Sequence, residues 1–233
     1  MDFILPFLQT AASHRRKTGF PFVTLSYAQS LDGCISARPG ESLALSCRES
    51  LKLTHRLRAT HDAILVWIGT VLSDDPRLNV RLVNGTSPRP VVVDGGLRIP
   101  LDSRLLTLDS RSPWIITKEH PDEARVEALK AIGAEVLPIP SDSSGRIDLT
   151  AMLLRMGELG VNSLMVEGGA RIITSFLLGR LADYIVLTVA PVLVGGLRAV
   201  SDLGWSDPTE VVRLSNLGHR RLGEDLILWG HLA

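Results

Sequence analysis

The chain has 233 residues, of which 45% are hydrophobic and 21% are charged, and its 25 basic and 25 acidic side chains cancel. This is the balance of a globular protein that is long enough to bury its own core without disulfides or metals. A protein that binds nucleic acid or an anionic membrane carries a basic excess, so the composition disfavours both kinds of partner. A local basic cluster can still hold a phosphorylated small molecule.

The cysteines and the N-terminus give no sign of metal binding or secretion. Cys34 and Cys47 form no Cys-x-x-Cys pair and have no histidine cluster nearby, so we expect reduced thiols, no metal site and a cytoplasmic protein. The apolar patch 3–8 precedes the basic residues 15–17, which is the wrong order for a secretory signal. No apolar run approaches the roughly 20 residues of a membrane span. We interpret residues 1–20 as an N-terminal extension that caps the domain or a partner subunit.

Strand and helix patterns alternate through residues 21–233 without a linker or a repeat, which predicts a single domain. Apolar runs predict strands at 22–27, 63–67, 91–94, 114–117, 135–138, 163–167, 184–190 and 225–230. Helices are predicted at 47–60, 122–132, 149–159 and 170–178. Several strands are apolar at consecutive positions, as in strands covered on both faces. We predict an α/β fold with a mostly parallel central sheet flanked by helices, and an antiparallel C-terminal edge because no helix separates the last two strands.

The segment 63–81 is the most informative part of the sequence. A predicted buried strand ends there and is followed by small and acidic residues, namely Gly69, Thr70, Asp74 and Asp75. Because the loops at the carboxyl ends of strands form the ligand crevice of an open α/β sheet, this pattern predicts a ligand site. Trp67 places a large indole beside that crevice.

The segment 167–172, Glu-Gly-Gly-Ala-Arg-Ile, lies between a predicted strand and a predicted helix. Paired glycines there let backbone N–H groups approach a phosphate, and a helix N-terminus favours an anion. Glycines at such turns often serve the turn alone. The segment lacks the full Gly-x-Gly-x-x-Gly pattern, so an ordinary Rossmann nucleotide site is not supported. Glu167, a carboxylate at the strand end, favours the functional interpretation.

Other polar residues have simpler interpretations. Ser42 lies in a loop and is a candidate phosphate contact, while Arg58 ends a basic stretch that is typical of a solvated helix face. His55 and His61 flank the end of the same helix and are expected at the surface. The chain has no Gly-x-Ser-x-Gly elbow and no zinc-deaminase signature, which disfavours hydrolase and deaminase chemistry.

Several segments, taken together, carry a family resemblance. They are Ser-Leu-Asp-Gly at 30–33, Thr-His-Arg-Leu-Arg-Ala-Thr-His-Asp-Ala-Ile-Leu-Val at 54–66, Ile-Gly-Thr-Val-Leu-Ser-Asp-Asp-Pro-Arg-Leu-Asn-Val-Arg at 68–81, Arg-Pro-Val-Val-Val-Asp at 89–94 and Val-Glu-Gly-Gly-Ala at 166–170. Their order and spacing resemble the riboflavin-biosynthesis reductase family, which includes the C-terminal domain of bifunctional deaminase-reductases. The resemblance implies a dihydrofolate-reductase-like fold, NADPH as cofactor and a homodimer. The implied reaction reduces the phosphoribosylamino group of a phosphorylated pyrimidine to a ribitylamino group, by hydride transfer to C1′ of the Schiff base.

The resemblance also implies roles for particular residues. Asp74 and Glu167 are the candidate catalytic residues for supplying the proton. The implied cofactor contacts are Ala28, Trp67, Gly69, Thr70, Asp74, Thr117, Gly168, Gly169, Ala170, Arg171 and Ile172. The implied substrate contacts are Ser42, Arg58, Leu78, Arg81 and Glu167. Arg58 and Arg81 are natural partners for the 5′-phosphate.

Two positions depart from the family pattern. Trp67 stands where the family normally has a glycine, and Ala44 stands where it often has an aromatic residue near the cofactor. The exchange indicates a relocated ring, a changed substrate or a site partly blocked by Trp67. One alternative function is therefore an NADPH-dependent imine reductase acting on a non-phosphorylated substrate, although Arg58 and Arg81 argue against it. A second alternative, a catalytically idle nucleotide-binding protein, is disfavoured by the intact acids and glycine turn.

Overall fold

A twisted nine-stranded sheet runs through the centre of the molecule, as seen in a computed structural model that describes residues 3–107 and 111–232. The strands of the described residues are β1 (Phe22–Ser30), β2 (Cys34–Ser36), β3 (Ala63–Trp67), β4 (Arg89–Val93), β5 (Trp114–Lys118), β6 (Glu135–Ile139), β7 (Ser163–Val166), β8 (Tyr184–Ala190), β9 (Leu197–Arg198), β10 (Leu214–Leu222) and β11 (Asp225–Leu232). The helices are α1 (Leu5–Thr18), α2 (Arg48–Thr60), α3 (Ile68–Asp74), α4 (Arg104–Thr107), α5 (Glu123–Ala131), α6 (Leu149–Glu158) and α7 (Ala170–Leu178), with a 3₁₀ turn at Pro208–Glu210.

The strand order in the large sheet is β10-β11-β8-β1-β7-β3-β4-β5-β6. All neighbours from β8 to β6 are parallel, whereas β11 pairs antiparallel with β8 and β10 pairs antiparallel with β11. The predicted mostly parallel sheet with an antiparallel C-terminal edge is therefore confirmed. The parallel strands bring their carboxyl ends to one side of the sheet, and this is where a ligand crevice is expected.

Helices cover the sheet on both faces, which explains the consecutive apolar residues of its strands. In β3, Ala63 and Leu65 face a core shared with α6 and α7, while Ile64 and Val66 face a second core shared with α3, α4 and α5. A third core joins α1 and α2 to β1, β8 and β11. Burial on both faces is what the run of apolar side chains provides.

The helix α1 packs on the antiparallel side of the sheet through aromatic side chains. Phe3 stacks on Trp229 with ring centroids 4.2 Å apart, and Phe7 contacts the rings of Tyr184 and His231. Farther along α1, Arg15 donates a hydrogen bond from Nε to the side-chain oxygen of Asn162 at 2.9 Å. The predicted extension thus contains a helix that contacts this chain's own sheet. None of the helices among the described residues is long and apolar enough to cross a membrane.

Several short or exposed elements were not predicted from the sequence. The residues after β3, interpreted as a turn, form the short helix α3. The strand β10 was not predicted, because its residues are mostly polar and exposed at the sheet edge. The short pair β2 and β9 was also missed, since three and two residues carry too little pattern to detect.

Candidate active site

A cavity of 860 Å³ opens at the carboxyl ends of the central strands, between the loop 37–46 and the start of α7. Most of the residues predicted for the site line this cavity: Ala28, Ser42, Arg58, Trp67, Gly69, Thr70, Asp74, Leu78, Glu167, Gly168, Gly169, Ala170 and Arg171. They come from six separate stretches of the chain, and the parallel strands bring them together. The volume is in the range of cofactor and small-molecule sites.

Three predicted residues lie elsewhere. The side chain of Thr117 is buried in β5, two strands away from β3, and does not reach the cavity wall. The side chain of Ile172 points into the core beneath the glycine turn. Arg81 lines a smaller neighbouring cavity of 270 Å³, which shares Arg58, Asp74 and Leu78 with the large one.

The glycine turn before α7 is a close fit. A side chain at Gly168 would lie 2.8 Å from Cγ2 of the buried Ile172, so a larger residue has no room there. Gly169 is the N-cap of α7, and its N–H group donates to the hydroxyl of Thr70 at 3.4 Å. No side chain among the described residues caps this helix start. The first-turn N–H groups of α7 are thus available to an anionic ligand in the cavity.

Arg58 and Glu167 form a partly buried, bidentate ion pair at the cavity floor. The guanidinium donates from Nε to Oε1 at 2.8 Å and from Nη2 to Oε2 at 2.6 Å, with 11% and 15% of the two side chains exposed. Burial opposes the charge of Arg58, but the attraction and hydrogen bonds of Glu167 outweigh it and raise the pKa of Arg58. Arg58 also donates from Nη1 to the carbonyl of Asn79 at 3.1 Å. The two side chains therefore fix each other's position and neutralise each other's charge.

Asp74 differs from Glu167 in its surroundings. It ends α3 at the boundary between the two cavities and is exposed. Within the described part of the chain, its carboxylate makes no hydrogen bond or ion pair. Its neighbour Asp75 accepts hydrogen bonds from the backbone N–H and from Nε of Arg104, both at 2.8 Å. Of these two acids, only Asp74 is available to a ligand.

The smaller cavity is rich in positive charge. Four arginines line it: Arg58, Arg77, Arg81 and Arg104. Glu167 and Asp75 form ion pairs with Arg58 and Arg104. Arg77 and Arg81 form no ion pair within the described residues, and because Asp74 is the one further carboxylate in the lining, a net positive charge remains. Burial and the nearby charges of Arg58 and Arg77 lower the pKa of Arg81. Such an arrangement favours a phosphate-sized anion.

Sequence reasoning did not identify Arg77 as a site residue. The only signal was its place after the acids and Pro76, and an arginine in a turn is usually solvated.

Trp67 and Ala44 line the same large cavity. The indole of Trp67 lies at the end of β3, near Gly69, and the guanidinium of Arg171 stacks over it at 5.9 Å from the ring centroid. The ring therefore forms part of the wall beside the glycine turn.

The prediction that His55 and His61 lie at the surface is wrong. Only 2% of His55 and 5% of His61 is exposed, because α2 turns this face towards β1 and the segment after α3. His61 donates or accepts at two buried positions, the carbonyl of Leu57 at 2.7 Å and the hydroxyl of Thr24 at 3.0 Å. Burial lowers the pKa of both imidazoles from 6.5 to about 4.

Comparison with known proteins agrees with this geometry. A family model described as the RibD C-terminal domain matches residues 21–228. The chain is 40% identical over 186 residues to the 2,5-diamino-6-ribosylamino-4(3H)-pyrimidinone 5′-phosphate reductase of Archaeoglobus fulgidus, covering 76% of this chain and 83% of that protein. It is 35% identical over 210 residues to the riboflavin biosynthesis protein RibD of Aquifex aeolicus, covering 90% of this chain but only 57% of that longer protein.

Solved structures confirm the fold. The riboflavin biosynthesis reductase Rib7 of Saccharomyces cerevisiae superposes with a TM-score of 0.74 at 28% identity, and the match covers 100% of both chains. Dihydrofolate reductase from Enterococcus faecalis superposes with a TM-score of 0.52 at 12% identity, covering 90% of this chain and 96% of that one, which supports the fold alone. The fold is thus dihydrofolate-reductase-like, and the chain belongs to the RibD C-terminal domain family.

Proposed function

We propose that this protein is an NADPH-dependent reductase of riboflavin biosynthesis. It reduces the phosphoribosylamino group of a phosphorylated pyrimidine to a ribitylamino group. The observation that carries the proposal is the junction of the two cavities, where a glycine-lined helix start, a free carboxylate and a pocket of arginines meet in one site. The name of the Archaeoglobus fulgidus relative supports the same reaction and substrate.

The residues around the glycine turn fit a nicotinamide dinucleotide. Gly168 leaves no space for a side chain, and the uncapped start of α7 offers N–H groups to a diphosphate. Thr70 and Arg171 flank this turn, and Ala28 lies on the facing strand. When bound, the cofactor supplies the hydride. The choice of NADPH over NADH rests on the family resemblance.

The phosphorylated sugar is held at the other end of the site. Arg81 and Arg77 bind the phosphate in the small cavity, because neither guanidinium is held in an ion pair among the described residues. Arg58 acts mainly through Glu167 and through the main chain at Asn79. The Arg58–Glu167 pair therefore shapes the floor on which the opened sugar lies.

The chemistry needs one proton besides the hydride. The ribosylamine opens to a Schiff base, C1′ accepts the hydride and the nitrogen gains a proton. Asp74 is our candidate for delivering it, directly or through one water, because its carboxylate is not engaged by another side chain. Glu167 accepts two hydrogen bonds from Arg58, and so we assign it to holding the substrate and not to proton transfer.

A second candidate function remains because of Trp67, whose indole narrows the cofactor end of the cavity. This is reduction of a cyclic imine that carries no phosphate. The test follows NADPH absorbance at 340 nm with the phosphoribosylaminopyrimidine and, separately, with simple cyclic imines. Oxidation only with the first supports the main proposal, and oxidation only with the imines supports the second. If neither is reduced although NADPH binds, the protein is an idle nucleotide-binding protein and both enzyme proposals fail.

We also propose that the protein is a cytoplasmic homodimer. The edge strand β10 supports a dimer, because it leaves its outer backbone groups unpaired and exposes 40% of Leu214 and 60% of Leu217. Light scattering at micromolar concentration tests this. A mass of one chain, 25.3 kDa, would contradict it.

A further inference from the structure

Two side chains of α2 hold the segment 79–81 by its main chain. The Nδ1 atom of His55 accepts a hydrogen bond from the backbone N–H of Arg81 at 3.1 Å. One helical turn later, Nη1 of Arg58 donates to the carbonyl of Asn79, also at 3.1 Å. The acceptor on His55 thus pairs with the N–H group of Arg81, and the donor on Arg58 pairs with the C=O group of Asn79, two residues earlier. A neighbouring parallel β-strand would bond the main chain at the same spacing. Side chains replace a β-ladder at this point.

The other side of the segment is held as well. The N–H group of Val80 donates to the hydroxyl of Ser87 at 3.0 Å. The segment belongs to no helix or strand, so these side chains set its path. The direction in which Arg81 leaves the main chain follows from them.

Arg81 needs such a constraint. Its guanidinium lies near the like charges of Arg58 and Arg77, and its own hydrogen bond, to the side chain of Asn79 at 3.2 Å, is exposed to solvent. In the absence of an anion, mutual repulsion favours an orientation of Arg81 out into solvent. A fixed main chain at Arg81 limits that movement and keeps its guanidinium at the small cavity before the ligand binds.

We propose that His55 is a positioning residue for phosphate recognition, which holds the main chain at Arg81 so that the arginine faces the small cavity. This inference rests on the proposed function, in which that cavity binds the phosphate of the substrate. Because the Arg81 N–H is the donor, Nδ1 of His55 carries a lone pair and its proton is on Nε2.

The environment of His55 keeps the ring neutral. Burial first, and then the charges of Arg58 and Arg81, lower the pKa of His55 to about 4 against the opposing effect of Glu167. The acceptor is thus present throughout the physiological pH range. A protonated ring would lose the bond to Arg81 and add a third positive charge.

Two variants separate the acceptor from the bulk of the ring. His55→Leu fills similar space but has no acceptor, whereas His55→Asn places an oxygen at the position of Nδ1. Arg56→Gln is the control, because Arg56 is the next residue of the same helix and its side chain is exposed. For each we measure kcat and KM with the phosphorylated substrate and with its dephosphorylated analogue.

We expect His55→Leu to raise KM for the phosphorylated substrate about tenfold, the effect of one misplaced charge-assisted hydrogen bond. The KM for the dephosphorylated analogue and both kcat values should stay within about twofold. His55→Asn should restore most of the loss, and Arg56→Gln should behave as the wild type. Equal losses in the Leu and Asn variants, or equal losses for both substrates, would show a packing role and overturn the proposal.

A binding measurement keeps this inference distinct from the proposed reaction. Ribose 5-phosphate and ribose are titrated by calorimetry into the wild type and the three variants. If the wild type does not reduce the pyrimidine but binds ribose 5-phosphate, and only the Leu variant loses that affinity, the reaction is wrong and the role of His55 stands. If the Leu variant binds ribose 5-phosphate as tightly as the wild type does, or if the wild type does not prefer it to ribose, the inference fails.

Discussion

Two carboxylates near the cavity have different tasks because of their neighbours. Both oxygens of Glu167 accept hydrogen bonds from Arg58, so this residue is part of a fixed pair. Asp74 lies at the end of a short helix, exposed, where a ligand or a water can reach it. Position in the chain would not distinguish them, since each follows a strand of the same sheet. Their hydrogen bonds do.

Replacement of Asp74 by Asn should therefore reduce kcat. We expect a loss of about a hundredfold, which is typical for removal of a general acid, with little change in the free energy of unfolding because the side chain is exposed. The control is Asp75→Asn, which should cost stability through the lost contact with Arg104 but leave more activity. Steady-state rates and thermal unfolding measure both effects. Near-normal turnover in Asp74→Asn would remove Asp74 from the mechanism.

Trp67 is one of the two positions at which the sequence analysis finds a departure from the family pattern. We expect Trp67→Gly to weaken NADPH binding about tenfold, because the cavity loses an apolar wall and the stacking partner of Arg171. Trp67→Phe keeps a flat ring and is the matched control, with a smaller loss. Fluorescence titration of NADPH compares them, alongside KM for the phosphorylated substrate, which should change little. Tighter NADPH binding in Trp67→Gly would mean instead that the indole obstructs the site.

Elements of the chain could be predicted where both faces are buried. The strands β3, β4, β5, β7 and β8 have consecutive apolar residues, and each of these strands lies between two others in the sheet. The helix α6 was predicted at 149–159, and its Met152, Leu153 and Met156 are buried in the core. By contrast, β10 owes its existence to pairing with β11, and a polar, exposed strand has no apolar period to detect.

The turn between β7 and α7 contains two glycines, and we expect their substitution to affect stability and cofactor binding differently. Gly168→Ala should lower the free energy of unfolding by about 1–3 kcal/mol, because the new methyl group would overlap the buried Ile172. At Gly169 the nearest atom to an added methyl group is Oγ1 of Thr70 at 3.8 Å, an ordinary contact. Gly169→Ala should keep the stability while it hinders the close approach of a diphosphate.

Thermal unfolding and NADPH titration of both variants test this difference. We expect weaker NADPH binding in each and a lower Tm only for Gly168→Ala. Full NADPH affinity in Gly169→Ala would argue against a diphosphate at the start of α7.

The molecule as a whole should lose stability as the pH falls below neutrality. In the folded protein, burial lowers the pKa of His61 from 6.5 to about 4, against the opposing effects of the hydrogen bond to the Leu57 carbonyl and of the charges of Asp62 and Glu167. Between pH 6.5 and pH 4, the imidazole of His61 is protonated in the unfolded chain but not in the folded chain. The contribution of the neutral His61 to the free energy of unfolding therefore has its full value above pH 6.5. It falls as the pH is lowered towards 4, by up to about 1.4 kcal/mol per pH unit for one such group.

Urea unfolding at several pH values measures this slope. His61→Gln cannot be protonated, so its slope between pH 6.5 and 4 should be smaller than that of the wild type. His219→Gln is the control, because His219 is exposed, and it should leave the slope unchanged. An unaltered slope in His61→Gln would show that the acid sensitivity arises elsewhere.

Most residues that line the candidate cavity could be named from the sequence, but their interactions could not. Sequence alone brought Asp74, Glu167, the glycine turn and the arginines to one end of the sheet. It did not predict that Arg58 and Glu167, 109 residues apart, neutralise each other. Nor did it place His55 against the main chain of Arg81, because such contacts depend on how α2 packs and leave no periodic pattern.

The Arg58–Glu167 pair also limits how this enzyme can change over evolutionary time. Loss of either partner alone leaves a charge without its counterpart in a largely buried place, and such a change costs about 3–5 kcal/mol. A change of substrate through substitution of Arg58 or Glu167 therefore requires both residues to change together. Trp67 and Ala44 form no ion pair, and each can be exchanged in a single step. We expect variation in substrate range among close homologues to concentrate at these two positions, while the paired charges stay fixed.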